Sequence, residues 1–134
     1  MIRGLGIDSV EISRFTSWAE FPHEKLSRLF SEREIYYCLE NPTKSAERFA
    51  ARFAVREAFF KALAQLAPGN EIPFLSLCKM VKVESTPKAA PQLIVNWPAI
   101  EEKTQKNHQN LHCWLSITHT STTATVMVII ENKE

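Results

Sequence analysis

The chain lacks the features that mark several protein classes. Nowhere do about 18 apolar residues run together, so no membrane-spanning helix is expected. The start MIRGLGIDSVEI has one basic residue, an early Asp and no apolar run of signal length, so a soluble, unexported, cytoplasmic protein is expected. Cysteine is scarce: Cys38, Cys78 and Cys113 are odd in number, widely spaced and in no CxxC pair. That excludes a disulfide framework and a zinc site and suits a reducing compartment. An excess of one charge is missing too. Sixteen basic against fifteen acidic residues leave a net charge of +1, which implies no general attraction to nucleic acid or membrane, and any charge-driven binding must be local. There is no repeat, linker or low-complexity tract. With 134 residues, 45% of them hydrophobic, the chain suffices for one domain, 1–134, and is too short for two.

What is present is concentrated in residues 47–62, ERFAARFAVREAFFKA. No Gly or Pro interrupts this stretch, strong helix formers dominate it, and Glu47 and Lys61 suit the N- and C-terminal ends of a helix dipole. At about 100° per residue, Phe49, Phe53 and Phe60 share one face, Ala50, Ala54 and Ala58 form a flat row beside it, and Val55, Phe59 and Leu66 lie further round. Apolar groups thus surround the helix, and Arg48, Arg52, Arg56, Glu57 and Lys61 are interleaved with them, so several of these charges are expected to be partly buried. Arg48, Arg52 and Arg56 repeat at i, i+4 and repel one another unless anions sit opposite; Glu57 is one candidate. A core helix with snorkelling stems and a Glu57–Lys61 pair is the plainer reading.

The other elements follow from local pattern. Residues 2–10 read as a strand broken by Gly4 and Gly6, with a backbone that approaches something closely. A short helix is expected over 11–19. In SEREIYYCLE, Ser31 and Glu34 have capping-box spacing, giving a second helix to about residue 39, where Asn41-Pro42 stops it. The long helix covers 45–65, ending at Pro68-Gly69-Asn70. Residues 75–85 and 92–97 read as strands, 98–109 as a polar helix begun by Pro98, and 112–118 and 122–131 as two final strands. This order gives α+β, with a mainly antiparallel sheet packed on one long helix through its alanine row.

Two acids stand out as candidates for chemistry: Asp8, just past a glycine-flanked strand, and Glu57, in mid-helix. A hard divalent cation needs only one or two protein carboxylates, with water and phosphate in its other positions, so this pair suffices for magnesium. The plainer readings are a strand-end turn residue for Asp8 and a salt bridge to Lys61 or Arg56 for Glu57. Arg48, Arg52, Arg56 and Lys61 on the same helix are what a polyphosphate requires. His119 in LSITHTST, among the hydroxyls of Ser116, Thr118, Thr120, Ser121 and Thr123, is either a phosphate ligand or proton relay, or a histidine in a polar turn.

GIDSVEISRF, RFAARFAVREAFFKA and LSITHT resemble, in order and approximate spacing, the three motifs of the holo-acyl-carrier-protein synthases, a 4'-phosphopantetheinyl transferase family. With SEREIYYCLE between the first two, the resemblance spans nearly the whole chain. It implies transfer of the phosphopantetheine arm of coenzyme A to a serine of apo-acyl carrier protein, releasing adenosine 3',5'-bisphosphate. Asp8 and Glu57 match the family's magnesium ligands. Arg52 and Lys61 match basic positions of the coenzyme A site, as does Arg56, which stands where the family typically has Lys. His119 and Thr120 match its C-terminal motif, and Arg14 resembles the residue that docks the acidic carrier protein. The serine's proton goes to Glu57, Asp8 or a metal-bound water, and the family's glycine-rich turn after the long helix is absent. The resemblance further implies a homotrimer whose active sites lie between neighbouring subunits. Two other readings remain: a different magnesium-dependent transferase acting on a diphosphate, and a carrier-binding relative without activity.

Overall fold

The computed structural model describes residues 1–133. Strand β1 (Ile2–Glu11) leads through two 3₁₀ turns (Ile12–Phe15 and Trp18–Glu20) into α1 (His23–Leu26) and α2 (Glu32–Leu39). A third 3₁₀ turn (Pro42–Lys44) runs into α3 (Ser45–Leu66). Then follow α4 (Phe74–Cys78), the hairpin β2 (Val81–Thr86) and β3 (Ala89–Val95), α5 (Trp97–Thr104), β4 (Leu111–His119) and β5 (Thr123–Asn132). The fold is α+β: a three-stranded sheet in the order β1-β5-β4 and the two-stranded β2-β3 sheet, with every pairing antiparallel.

Strand alternation decides what meets the helix. On β5, Ala124, Val126, Val128 and Ile130 are buried, while Met127 between them is exposed. On β1 the buried positions are Gly4, Gly6, Asp8 and Val10, with Leu5 and Ile7 outside. The two glycines let the strand lie directly on α3. A Cβ at Gly6 would stand 1.8 Å from the Ala58 carbonyl oxygen, and one at Gly4 would stand 2.3 Å from that of Ala62. Two strand residues advance about 6.6 Å and four helix residues about 6 Å, so strand and helix stay in step over this contact. The expected alanine surface is there, since Ala50, Ala54, Ala58 and Ala62 are all fully buried.

Three elements differ from the sequence expectation. Residues 11–19 form two 3₁₀ turns in place of one α-helix, with the Phe15 and Trp18 rings packed at a tilt, 4.5 Å apart, in an aromatic cluster that also takes in Phe53. The first part of the 75–85 segment is helical: Pro73 starts α4, and Leu77 and Cys78 turn into the core. The polar helix ends before residue 109 because Gln105 takes a left-handed conformation, φ 58°. Beyond it, His108 is buried, with Nε2 2.9 Å from the Thr104 hydroxyl and its backbone N–H donating to Glu101. Burial lowers the pKa of His108; Glu101 opposes this, while Lys106 and Arg3 reinforce it. A histidine lowered in the fold contributes stability above its unfolded pKa of about 6.5, and that contribution is lost as pH falls through the folded value. Thermal melts of wild type should therefore decline more steeply from pH 7 to pH 5 than those of His108→Gln.

Candidate active site

Asp8 faces α3 because it lies two and four residues beyond the glycines that allow the close approach. Its side chain is only 10% exposed. Lys61 Nζ donates to Asp8 Oδ1 (3.2 Å) and to the Ile7 carbonyl (2.9 Å), while Asp8 Oδ2 is buried without any partner. Glu57 stands on the same flank. Its pKa is raised first by burial and then by the charge of Asp8, against the opposing pull of Lys61 and Arg14. The plainer Glu57–Lys61 pair is not formed, since Lys61 turns to Asp8. Two carboxylates thus share one half-exposed lysine, with Arg14 further off. An orphaned carboxylate oxygen beside a second destabilised acid is a donor set suited to a hard cation, which takes one or two carboxylates and fills its remaining positions with water and phosphate. No group of three or more His, Cys, Asp or Glu suited to a metal occurs among the described residues.

On the opposite flank, Arg48 and Arg52 stack on the Tyr37 ring at 3.9 and 4.3 Å. Arg48 donates to Glu40 (3.2 Å) and to the Tyr37 carbonyl (2.7 Å). Arg52 is buried, and its Nε has no partner. Both arginines line a cleft of about 580 Å³ that also takes in His119, Glu47, Ser85 and Pro87. His119 Nε2 is 2.5 Å from Glu47 Oε1. The Thr120 hydroxyl accepts from the backbone N–H groups of Thr122 and Thr123 and so builds the β4–β5 turn.

Arg56 departs from expectation. It was grouped with the coenzyme-binding residues, yet it is 1% exposed and every guanidinium N–H is used. It forms a bidentate pair with Glu34 (2.8 and 2.7 Å) and donates to the carbonyls of Cys78, Arg52 and Val81. Arg56 is therefore not available to a ligand. Burial by itself would raise the Glu34 carboxyl, but the Arg56 contacts outweigh it and hold the group below its usual range. The self-repelling arginine row is answered by α2: Glu34, Tyr37 and Glu40, stepping by three, oppose Arg56, Arg52 and Arg48, stepping by four. Glu57 plays no part in this. Arg56→Met should cost about 3–5 kcal/mol in urea unfolding, because it strands a buried charge, and the further change Glu34→Leu should restore most of the loss. A second substitution that merely adds to the loss would contradict the pairing.

Sequence reading missed Glu34 as an ion-pair partner, Tyr37 as a stacking platform, and Glu47 and Ser85 as cleft residues. For α2 the signal was present, since a row of arginines demands a complementary face nearby. The three thiols offer no nucleophile, because burial pushes Cys38 and Cys113 up to about 12 and Cys78 up to about 11.

The candidate residues therefore form two groups. Asp8, Glu57 and Lys61 lie where α3 meets β1, whereas Arg52, His119 and Thr120 lie toward β4 and the β2–β3 hairpin. Arg52 and Lys61 are nine residues apart, about 180° around the helix, and β1 and β4 are separated by β5, two strand spacings or roughly 10 Å. Within one chain the two groups do not meet.

Residues 4–126 match the family model described as the 4'-phosphopantetheinyl transferase superfamily. A holo-[acyl-carrier-protein] synthase of Treponema denticola is 37% identical over 131 residues, which cover 98% of this chain and 99% of that protein. Among solved structures, the holo-(acyl-carrier-protein) synthase of Bacillus anthracis in complex with CoA (3',5'-ADP) superposes with a TM-score of 0.71 at 26% identity, covering 99% of each chain. That of Helicobacter pylori in complex with coenzyme A gives 0.68 at 29% identity, covering 95% of this chain and 99% of that one.

Proposed function

The chain belongs to the 4'-phosphopantetheinyl transferase superfamily, and from that premise we propose that it is a holo-[acyl-carrier-protein] synthase: it transfers the 4'-phosphopantetheine group of coenzyme A to a serine of apo-acyl carrier protein, leaving adenosine 3',5'-bisphosphate. The observation that carries this reading is the under-neutralised pair, Asp8 with its orphaned Oδ2 and Glu57 with its raised pKa. A protein that only bound a carrier would gain nothing from a carboxylate whose charge is opposed by its acidic neighbour. Weighing apo-carrier protein after incubation with coenzyme A and magnesium tests the proposal.

Asp8 and Glu57 would hold magnesium, which when bound supplies positive charge for the pyrophosphate of coenzyme A and for the departing nucleotide. Lys61, held over Asp8 by the Ile7 carbonyl and half exposed, can turn its remaining N–H to a phosphate oxygen. Arg52, with its unpaired Nε, and His119 line the cleft proposed for the nucleotide. Positioning and charge stabilisation supply most of the acceleration in such transfers.

Since the two groups lie on opposite flanks of α3, one coenzyme molecule is served by the acids of one copy and the cleft of its neighbour. The proposed assembly is a homotrimer. The outer sheet face supports it, presenting Ile2, Leu5, Ile7, Trp114 and Met127 exposed, an apolar patch that association would cover. A cytoplasmic location is proposed with it; among the described residues no helix is long and apolar enough to cross a membrane.

Arg14, exposed and close enough to Glu57 to lower its pKa, is the proposed docking point for the acidic carrier. Arg14→Glu should raise the KM for carrier protein about tenfold and change the KM for coenzyme A little, as expected for a rim charge that steers encounter. An unchanged KM for the carrier removes docking from this residue.

A further inference from the structure

Glu47 has no assigned role, yet its contact with His119 is the shortest polar side-chain contact in the cleft. We propose that Glu47 is a positioning residue, which holds the His119 ring as a donor toward a phosphate of coenzyme A; this rests on the transferase reading above. His119 ends β4 on the helix-facing side, opposite the buried Ala124. Its Nε2 meets the Glu47 carboxylate at 2.5 Å, and its Nδ1 lies 3.3 Å from the Thr120 carbonyl. Both partners accept and neither donates. To donate to both at once, the ring must carry a hydrogen on each nitrogen.

The two contacts differ in kind. Glu47 sits in the first turn of α3, where the helix dipole favours a carboxylate, and is anchored by a 22-residue helix. The Thr120 contact is long, at the edge of hydrogen-bonding range. A phosphate oxygen is also an acceptor, so it can replace the Thr120 carbonyl at Nδ1 while Glu47 keeps Nε2. The ring lines two adjoining hollows, the cleft with Arg48 and Arg52 and a shallower one with Thr43, Thr120 and Ser121. The charged groups facing it across the cleft are Arg48, Arg52, Glu40 and Glu47. Arg48 is already tied to Glu40, which leaves Arg52 and the Nδ1 edge of the ring for anion binding. A carboxylate on the far nitrogen offsets the positive charge of Arg52 and keeps the ring aimed. The arrangement parallels the carboxylates that orient histidines in metal and hydrolase sites.

A purely structural role, tying α3 to β4, predicts different behaviour, and a double-mutant cycle separates the two. With purified full-length protein, coenzyme A affinity is measured by calorimetry and KM and kcat by transfer to carrier protein, for wild type, Glu47→Gln, His119→Gln and the double variant. Glu47→Gln should weaken coenzyme A binding about tenfold, in line with the loss of one charge-assisted hydrogen bond, with kcat within about threefold of wild type. The double variant should be no weaker than His119→Gln alone. With coenzyme A bound, the ring ¹⁵N signals of His119 should show a hydrogen on both nitrogens in wild type and lose that pattern in Glu47→Gln. Additive losses, unchanged affinity in Glu47→Gln, or identical ring signals would overturn the proposal. If wild type binds coenzyme A but transfers nothing, the transferase reading fails while the binding cycle still decides the role of Glu47. A wild type that binds no coenzyme A overturns both.

Discussion

Replacing Glu57 by Gln is expected to lower transfer by about a thousandfold or more, roughly 4 kcal/mol of transition-state stabilisation, in a protein that stays folded. The effect on stability runs the other way. A carboxyl whose pKa is raised in the fold destabilises the native state when ionised, and Asp8 is one cause of that rise. The neutral amide relieves the repulsion, so Tm should be unchanged or slightly higher, as when a functional site is relaxed. Lost activity with a lower Tm would point to a structural role for Glu57, and full activity would remove it from the proposed metal site. The proposed composite site predicts a second result. Glu57→Gln and Arg52→Ala damage opposite flanks of α3, so two impaired preparations, unfolded and refolded together, should recover part of the activity through sites that combine the intact acids of one copy with the intact cleft of another. Preparations mixed without subunit exchange should not.

Gly6→Ala should be the most damaging single methyl in the chain. The added Cβ would stand 1.8 Å from the Ala58 carbonyl oxygen and 2.7 Å from its carbon, both backbone atoms of a buried helix. Rotamer changes cannot relieve this, so β1 and α3 must separate. The alanine row, fully buried against the sheet, would lose contact along its length. Overpacking a well-filled core costs about 1–3 kcal/mol, and a backbone clash of this depth should lie at or above the top of that range. Chemical unfolding should show it as a lower urea midpoint, and any folded fraction should bind coenzyme A poorly, because Glu57 and Lys61 move away from Asp8 with the helix. Gly69 offers the contrast: no atom lies within 4 Å of a Cβ there, and only its φ of 79° opposes a side chain. Gly69→Ala should therefore cost about 1 kcal/mol. A Gly6→Ala protein as stable as wild type would refute the close-packed strand–helix seam.

That seam was legible because its causes are local. Alternation with Gly4 and Gly6 puts Asp8 on the buried side of β1, and an uninterrupted run of helix formers defines α3 and its alanine face. The capping box of Ser31 and Glu34 forms as its spacing requires. What escaped were pairings set by tertiary geometry. Arg56 was placed with the phosphate-binding residues because charge is visible in a sequence and enclosure is not; its partner Glu34 is 22 residues away on another helix, and cap spacing already accounted for that residue. The hairpin residues Ser85 and Pro87 carry no motif, and only folding brings them to the cleft. Even so, helical geometry alone puts Arg52 and Lys61 about 180° apart. If both bind coenzyme A as proposed, positions on opposite sides of one helix fit a site completed by a second copy.

The proposed activity is tested most directly by intact mass spectrometry of apo-acyl carrier protein after incubation with this protein, coenzyme A and magnesium, alongside the same mixture with chelator in place of magnesium. The expected result is a carrier heavier by one phosphopantetheine group on its serine, equimolar adenosine 3',5'-bisphosphate, and neither product when magnesium is withheld. A carrier of unchanged mass, under conditions in which an established phosphopantetheinyl transferase modifies it, would contradict the assignment.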